Sequence, residues 1–351
     1  MRTMLCRPLR RAGRPGVVGV AARTAVAAAG TATAVSGRVS RHQAERAAAQ
    51  HPAVCRRVAA AVNRISRPTC GDRARSLCPM TRRTPPRPLD VEQLFPEVAP
   101  LRKRTVRLHP RAGAPTCRDS SVGGPLLWPL EEPWPVCPYH HRSAMVPVVQ
   151  VRAADALGLV PFPAGRDLLQ VLWCPRRHDG CWVVPEVHWR DAAAVGAVRE
   201  APAVGGEVPY GKIPRPCVVH PELVEEYPSW DLPYELWDLL EPRFEQVEAE
   251  TGWDYQYHLS TAPGTKLGGY PGWCQDPQWP DCSGCGQRMD HLLTVESREA
   301  DAASRLTWTP VEDQGVRYED AGLMLGDAGG VYLFECRRCP GRPVKERFDC
   351  S

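Results

Sequence analysis

Two Cys-x-x-Cys pairs constrain this chain more than any other feature of its sequence. The first pair is Cys282 and Cys285, and the second, Cys336 and Cys339, follows much later in the chain. Two such pairs can bring four thiolates from separate turns into the tetrahedron that zinc prefers. Gly286 follows the first pair, where a glycine permits the tight turn of a zinc knuckle. The four cysteines therefore predict one zinc site, with a redox disulfide or merely buried thiols as the alternatives.

A partial copy of the first pair and its surroundings lies earlier in the chain. Six residues recur at an offset of 145, with Gly123, Gly124, Trp128, Trp134, Pro135 and Cys137 matching Gly268, Gly269, Trp273, Trp279, Pro280 and Cys282. A strand-like run follows each copy with a slip of one residue, beginning at Met145 and at Met289. A later run ends at Cys174 in one copy and at Cys336 in the other. This shared order predicts an internal duplication of a β-rich unit.

The earlier copy has a histidine where the later copy has its second cysteine. Imidazole nitrogen can replace thiolate sulfur as a zinc ligand, so this copy is a candidate second metal site. Its candidate ligands are Cys137, His140, Cys174 and either His178 or Cys181, with His141 as an alternative to His140. A site of this kind with one open position could activate a bound water, so any hydrolytic chemistry is expected here.

Several motifs of the second copy resemble a known group of proteins. They are Lys266-Leu-Gly-Gly-Tyr-Pro, Trp279-Pro, Cys282-x-x-Cys285-Gly, Gly326-Asp-Ala-Gly and Tyr332-Leu-Phe-Glu-Cys336. Together they resemble the YwqG-like family, a domain of unknown function, over roughly residues 90–351. Residues 260–345 are also similar to programmed cell death protein 2 and its relatives. The second resemblance implies zinc binding and the chaperoning of a ribosomal protein. The first copy departs from this pattern at His140 and has no second cysteine soon after Cys174.

The first 79 residues differ from the rest of the chain in charge and aromatic content. They carry 15 Arg against two acidic residues, a net charge of +13 in a chain whose total is +4, so residues 80–351 carry −9. They contain no Phe, Tyr or Trp and too little apolar surface to offset the entropy lost on folding. We expect this segment to be disordered, or an untranslated extension upstream of a start at Met80. A twin-arginine targeting signal and a phosphate-binding arm are the alternatives.

The remaining sequence alternates short strand-like runs with Pro- and Gly-rich connections, which is typical of antiparallel β structure. The best predicted helix is Asp231–Thr251, with Gly252 as a stop and with a kink or break at Pro242. We predict an α+β, β-rich fold with two related β units, an intervening helix and a disordered N-terminal segment. The charged tail, Pro340–Ser351, is expected to be frayed.

These features divide the chain into four predicted segments. They are a disordered extension over 1–88, a first repeat over 89–190, a connector with the helix over 191–258, and a second repeat with the cysteine pairs over 259–351.

Three functions are compatible with these features. We favour a zinc-stabilised, non-enzymatic cytoplasmic protein that binds a protein client, because the acidic residues 80–351 suit a basic partner. The resemblance implies a client such as a nascent ribosomal protein. The alternatives are a metal-dependent hydrolase that uses the first copy and a thiol oxidoreductase that uses Cys282 and Cys285. We expect no membrane span and no nucleic-acid binding by the globular part.

Overall fold

The computed structural model of the chain describes residues 81–350, apart from residues 142, 180 and 181. The predictions for the first 79 residues, whether disorder, a targeting signal or a phosphate-binding arm, lie outside the described residues. The candidate ligand Cys181 lies outside them too.

Two antiparallel sheets of six strands each form the framework of the described structure. The strands are β1 (Lys103–Arg107), β2 (Arg111–Ala112), β3 (Ser121–Val122), β4 (Val146–Arg152), β5 (Leu168–Trp173), β6 (Pro185–Arg190), β7 (Cys217–Val218), β8 (Glu222–Glu226), β9 (Lys266–Gly268), β10 (Asp290–Glu296), β11 (Gly330–Glu335) and β12 (Val344–Asp349). The first sheet has the order β2-β7-β3-β4-β5-β6, and the second sheet has the order β8-β1-β9-β10-β11-β12. The predicted β-rich fold is therefore confirmed.

The chain crosses between the two sheets twice. Strand β1 pairs with β8 and β9 in the second sheet, whereas β2 pairs with β7 in the first. The chain returns from the first sheet to the second between β7 and β8. Leu108 and Val219, which follow β1 and β7, are both buried in the core that the sheets share. The segment 191–258 thus contributes one strand to each sheet as well as a helix.

The hairpins β4–β5 and β10–β11 have the same register. Each has one bulge near its start, between Pro147 and Val149 in the first sheet and between His291 and Leu293 in the second. The two bulges are 144 residues apart, which equals the offset of the strand runs after the one-residue slip.

One hydrophobic core lies between the sheets. The first sheet contributes Val149 and Val171, and the second contributes Leu293 and Val331, none of which is exposed to solvent. Burial of apolar surface stabilises a fold by about 25 cal/mol per Å², so burying these side chains stabilises the contact between the sheets. The sheets therefore form one packed unit rather than two separate ones.

The described part of the chain has three α-helices, and they lie beside the second sheet. They are α1 (Val91–Leu94), α2 (Tyr234–Thr251) and α3 (Arg305–Trp308), with short 3-10 and π turns between elements. In α2, Leu240 and Phe244 pack against Val91 and Phe95 in a separate apolar cluster. Helix α2 continues through Pro242, which is exposed, instead of dividing there. In the described part of the chain, no helix has the length and apolar character needed to cross a membrane.

The C-terminal segment forms a strand, so the prediction of a frayed tail is wrong. Strand β12 pairs with β11 over all six of its residues. Phe348 packs against the shared core, and Asp349 accepts hydrogen bonds from the Tyr332 hydroxyl at 2.7 Å and the Cys274 N–H at 2.9 Å. The order of this segment thus comes from its pairing with β11, from the shared core and from the distant Cys274, none of which the charged local pattern reveals.

Candidate metal centres

The first half of the second cluster lies in a tight hairpin that precedes β10. A bridge between Asp281 and Arg288 closes this hairpin. Inside it, the Cys282 N–H donates to the Gln287 carbonyl and the Gly286 N–H donates to the Cys282 carbonyl, both at 2.8 Å. Gly286 has a φ of +70°, a left-handed conformation that glycine adopts without strain. The glycine after the cysteine pair thus closes the turn as predicted.

The second half lies in the loop between β11 and β12, residues 336–343, which we call the second ligand loop. The Cys336 N–H donates to the Pro343 carbonyl and the Arg342 N–H donates to the Cys339 carbonyl, both at 2.9 Å. Because β10 and β11 are neighbours, the hairpin and this loop lie at the same end of the second sheet.

The four thiol groups of the second cluster converge. The sulfur atoms of Cys282, Cys285, Cys336 and Cys339 all lie within 4.8 Å of one another. The Cys282–Cys339 sulfur distance is 3.8 Å and the Cys285–Cys336 distance is 3.6 Å. Zinc–sulfur bonds of about 2.3 Å at tetrahedral angles separate two sulfurs by about 3.8 Å, whereas a disulfide bond is about 2.05 Å long. The spacing suits a metal ion, and every cysteine that the structure describes is free of disulfide bonds.

The electrostatics of the second cluster favour a cation at its centre. Burial raises the pKa of the Cys282 thiol, but the N–H groups of Gly284 and Cys285 and the thiols of Cys336 and Cys339 outweigh burial and lower it to about 6. The Gly284 N–H lies 3.3 Å from Cys282 Sγ. Hydrogen bonds with the other three thiols, in which the Cys339 S–H is the donor, raise the pKa of Cys339 to about 12. The Cys282 thiolate thus forms readily while Cys339 keeps its proton, and a cation at the centre would favour the thiolate form of both.

The first cluster occupies the equivalent end of the first sheet. A bridge between Val136 and Ala144 closes its hairpin, and the Cys137 N–H donates to the Ser143 carbonyl at 3.0 Å. This hairpin is one residue longer than its counterpart. The extra residue accounts for the slip in the sequence comparison.

Two cysteines and two histidines converge in the first cluster. The ligand atoms of Cys137, His140, Cys174 and His178 all lie within 4.8 Å of one another. Nδ1 of His140 is 3.6 Å from Cys137 Sγ and 3.7 Å from Cys174 Sγ. Tetrahedral zinc with bonds of about 2.3 Å to sulfur and 2.0 Å to nitrogen separates such atoms by about 3.5 Å. Of the described candidates, His178 completes the cluster and His141 is not part of it.

His178 lies in the loop between β5 and β6, residues 174–184, which we call the first ligand loop. Burial lowers the pKa of His178 to about 4, with the charges of His140 and Lys212 acting in the same direction. Burial also raises the pKa of Cys174 to about 11. A histidine that stays neutral presents the form of imidazole that binds metal.

Sequence reasoning missed the residues that hold the first ligand loop. Lys212, only 3% exposed, donates from Nζ to the carbonyls of Arg176 at 3.1 Å and Trp182 at 2.6 Å. Arg176 in turn donates to the Ser143 hydroxyl at 3.2 Å, which ties the loop to the ligand hairpin. The scarcity of lysine in this arginine-rich chain is the one sequence signal that could have singled out Lys212.

Among the described residues, the fold and the two clusters define a β-rich protein with two four-ligand Cys/His groups that could each hold a metal ion. Neither the family models nor the curated proteins compared with the chain gave a match.

Proposed function

We propose that this chain is a zinc protein with two structural metal sites and that it acts by binding another protein. The convergence of four thiols at one end of the second sheet carries the proposal. The first cluster adds a Cys₂His₂ site at the equivalent end of the first sheet. Both ligand sets belong to the types that structural zinc sites use.

The number of protein ligands argues for structural rather than catalytic metal. A catalytic zinc ion keeps one position for water, with three protein ligands around it. Cys137, His140, Cys174 and His178 supply four ligands, so the first cluster is closed when metal is bound. Glu186, just beyond the first ligand loop, lies 2.9 Å from His188 Nε2 and is not part of the cluster. A metal-dependent hydrolase is therefore the weaker hypothesis.

A thiol oxidoreductase is also less well supported. Such an enzyme needs two sulfur atoms that form a disulfide with each other while excluding other partners. Here sulfur contacts of 3.6 and 3.8 Å join one Cys-x-x-Cys pair to the other. Free thiols throughout the described residues favour a reducing compartment, and we propose the cytoplasm.

A basic protein segment is the partner that we propose. Residues 80–351 carry a net charge of −9. Helix α2 presents a row of exposed carboxylates to solvent, namely Glu235, Asp238, Glu241, Glu245 and Glu250. A field of one sign speeds encounter with an oppositely charged partner and is weakened by salt.

We also propose that the two sheets arose by internal duplication and that the chain is related to the YwqG-like group. Matching bulges and matching ligand hairpins support the duplication. The relationship to programmed cell death protein 2 rests on the sequence motifs and would make a ribosomal protein a client to test.

Metal analysis tests the zinc proposal. We expect full-length protein purified without chelators to carry two zinc ions per chain, as measured by inductively coupled plasma mass spectrometry. Replacing Cys282, Cys285, Cys336 and Cys339 by Ser should remove one ion, and replacing Cys137 and Cys174 should remove the other. Cys217→Ser, which alters a buried cysteine outside both clusters, serves as the control and should keep both ions. Retention of two ions by the quadruple variant would refute the proposal.

Binding of a labelled Arg-rich peptide tests the partner proposal. We expect the full-length protein to bind it in low salt and to release it as salt rises, and to ignore a Glu-rich peptide of equal length. Exchanging Glu235, Asp238 and Glu241 for amides should weaken binding. Equal binding of both peptides would contradict a basic partner.

A further inference from the structure

Each ligand loop packs on the edge strand of the opposite sheet. Trp182, in the first ligand loop, stacks on Phe348 of β12, with ring centroids 4.2 Å apart and planes 7° from parallel. Arg342, in the second ligand loop, lies over the ring of Trp189 in β6, with its guanidinium carbon 4.7 Å from the ring centroid. The loop of each cluster is therefore braced by the sheet that carries the other cluster.

The two aromatic partners hold equivalent positions. Trp189 is the fifth residue of β6, and Phe348 is the fifth residue of β12. Trp189 is paired with Leu169 of the neighbouring strand β5, and Phe348 is paired with Val331 of β11. Leu169 and Val331 both belong to the shared core. The edge strands are thus fixed by the core and provide firm supports for the loops.

The other ends of the loops are also tied down. Arg342 donates to the carbonyl of Pro161, in the connection between β4 and β5, at 2.9 Å, and it pairs with Glu335 at the end of β11 at 2.6 Å. Trp182 is held through its carbonyl by Lys212. A loop that loses its metal can leave these contacts, and the edge strand beneath it then loses a packing partner.

We propose that the two metal sites are energetically coupled through these crossed contacts, so that an ion at one site strengthens binding at the other. The inference rests on the proposed zinc sites. Metal binding orders its own ligand loop, and the ordered loop supports the edge strand of the opposite sheet. That edge strand begins where the other ligand loop ends, so support passes to the second site. Coupling between sites is reciprocal, so each ion must raise the affinity for the other by the same factor. Trp182 and Arg342 are positioning residues in this scheme and touch no metal.

The size of the coupling is set by the contacts that carry it. Aromatic pairs contribute enough to change a binding constant between about twofold and tenfold. We expect the metal affinity of the second cluster to decrease by a factor within this range when the first cluster is disabled by Cys137→Ser and Cys174→Ser.

Cobalt titration of the full-length, metal-free protein under reducing conditions tests the coupling. Co²⁺ is the probe because its absorption distinguishes a four-sulfur site from a site with two sulfurs and two nitrogens. Trp182→Ala should lower the Co²⁺ affinity of the second cluster between twofold and tenfold when the first cluster is intact. The same substitution should have no further effect when the first cluster is already disabled. Trp182→Phe, which keeps a stacked ring, should restore the affinity.

Matched variants separate coupling from a general loss of stability. Trp237→Ala removes a partly buried tryptophan from the helix cluster and should leave both affinities unchanged. Arg342→Gln should lower the affinity of the first cluster, and it carries the test alone if Trp182→Ala fails to fold. Identical second-cluster affinities in the wild type, in Trp182→Ala and in the chain with a disabled first cluster would overturn the coupling while leaving two zinc sites intact. An equal loss in Trp237→Ala would overturn it as well. Absence of any thiolate–cobalt absorption would instead refute the zinc proposal itself.

Discussion

Lys266 Nζ lies 2.7 Å from Glu226 Oε2, and neither side chain is exposed to solvent. The pair joins β9 to β8 across the strand between them, β1. Glu226 also accepts the N–H groups of Tyr270 at 2.5 Å and Ala262 at 2.8 Å. These contacts order the Gly-Gly segment that leads from β9 towards the second cluster.

Removing one member of this ion pair should be costly. Lys266→Met leaves the Glu226 carboxylate buried without a counter-charge, and we expect the free energy of unfolding to fall by about 3–5 kcal/mol. Urea denaturation followed by tryptophan fluorescence measures this change. Arg215→Gln, at an ion pair whose side chains are 53% and 68% exposed, is the control and should cost less than about 1 kcal/mol. Equal costs for the two variants would contradict the role assigned to the buried pair.

Gly269 should not tolerate a side chain. It has a φ of +69°, and an added Cβ would lie 1.9 Å from Glu226 Oε1 and 2.8 Å from Thr105 Cβ. We expect Gly269→Ala to lower the free energy of unfolding by more than about 2 kcal/mol, because backbone strain and overpacking act together. Gly158→Ala is a matched control, since Gly158 has a φ of +73° and no atom within 4 Å of the added carbon. Strain alone should cost the control about 1 kcal/mol.

Glu296 should make stability depend on pH. Burial raises the pKa of its carboxyl from an ordinary value of 4.5 to about 8. Between these values the folded protein holds a proton that the unfolded chain has released, so stability should fall as pH rises from 4.5 to 8 and then level off. Glu296→Gln removes this dependence and should be the more stable protein at pH 8, by on the order of 4 kcal/mol.

Thermal unfolding of both proteins at intervals between pH 4.5 and pH 9 provides the measurement. Glu319→Gln, which alters a side chain that is 68% exposed, should track the wild type throughout. A constant difference between wild type and Glu296→Gln over the whole range would show that the carboxyl does not titrate in this window.

Lys212 should control how firmly the first cluster holds its metal. Lys212→Gln loses the ammonium group that binds two carbonyls of the first ligand loop, and residues that orient metal ligands commonly change metal affinity by tenfold or more. We expect one of two zinc ions to transfer to a chromogenic chelator about tenfold faster than in the wild type. Lys345→Gln, whose ammonium donates to the Asp281 carbonyl beside the second cluster, should leave the first ion unaffected.

The sequence predicted the second cluster well because its information is local. Each Cys-x-x-Cys pair specifies its own turn, and only the meeting of the two turns had to be inferred. The one-residue slip also corresponds to a real feature, the longer hairpin of the first cluster. The choice between His178 and Cys181 stayed open, because spacing alone does not fix which residue of a loop turns inwards.

The features that the sequence did not predict depend on distant partners. Lysine usually lies on the protein surface, and nothing near Lys266 in the chain identifies Glu226 as its counter-charge. Strand β12 has a charged sequence and is ordered by β11, by the shared core and by the distant Cys274 N–H that donates to Asp349. The chain moves from one sheet to the other between β1 and β2 and again between β7 and β8. These crossings depend on strand pairs whose residues are more than a hundred positions apart, and no local pattern encodes them.

The crossing of strands between sheets also sets an order of assembly as the chain leaves the ribosome. All six strands of the first sheet lie between Arg111 and Val218, so that sheet can close long before synthesis ends. Strand β1 emerges before any of them, yet its partners β8 and β9 come only after them. The earliest strand in the described part of the chain therefore gains its partners only after the strands of the first sheet have been made.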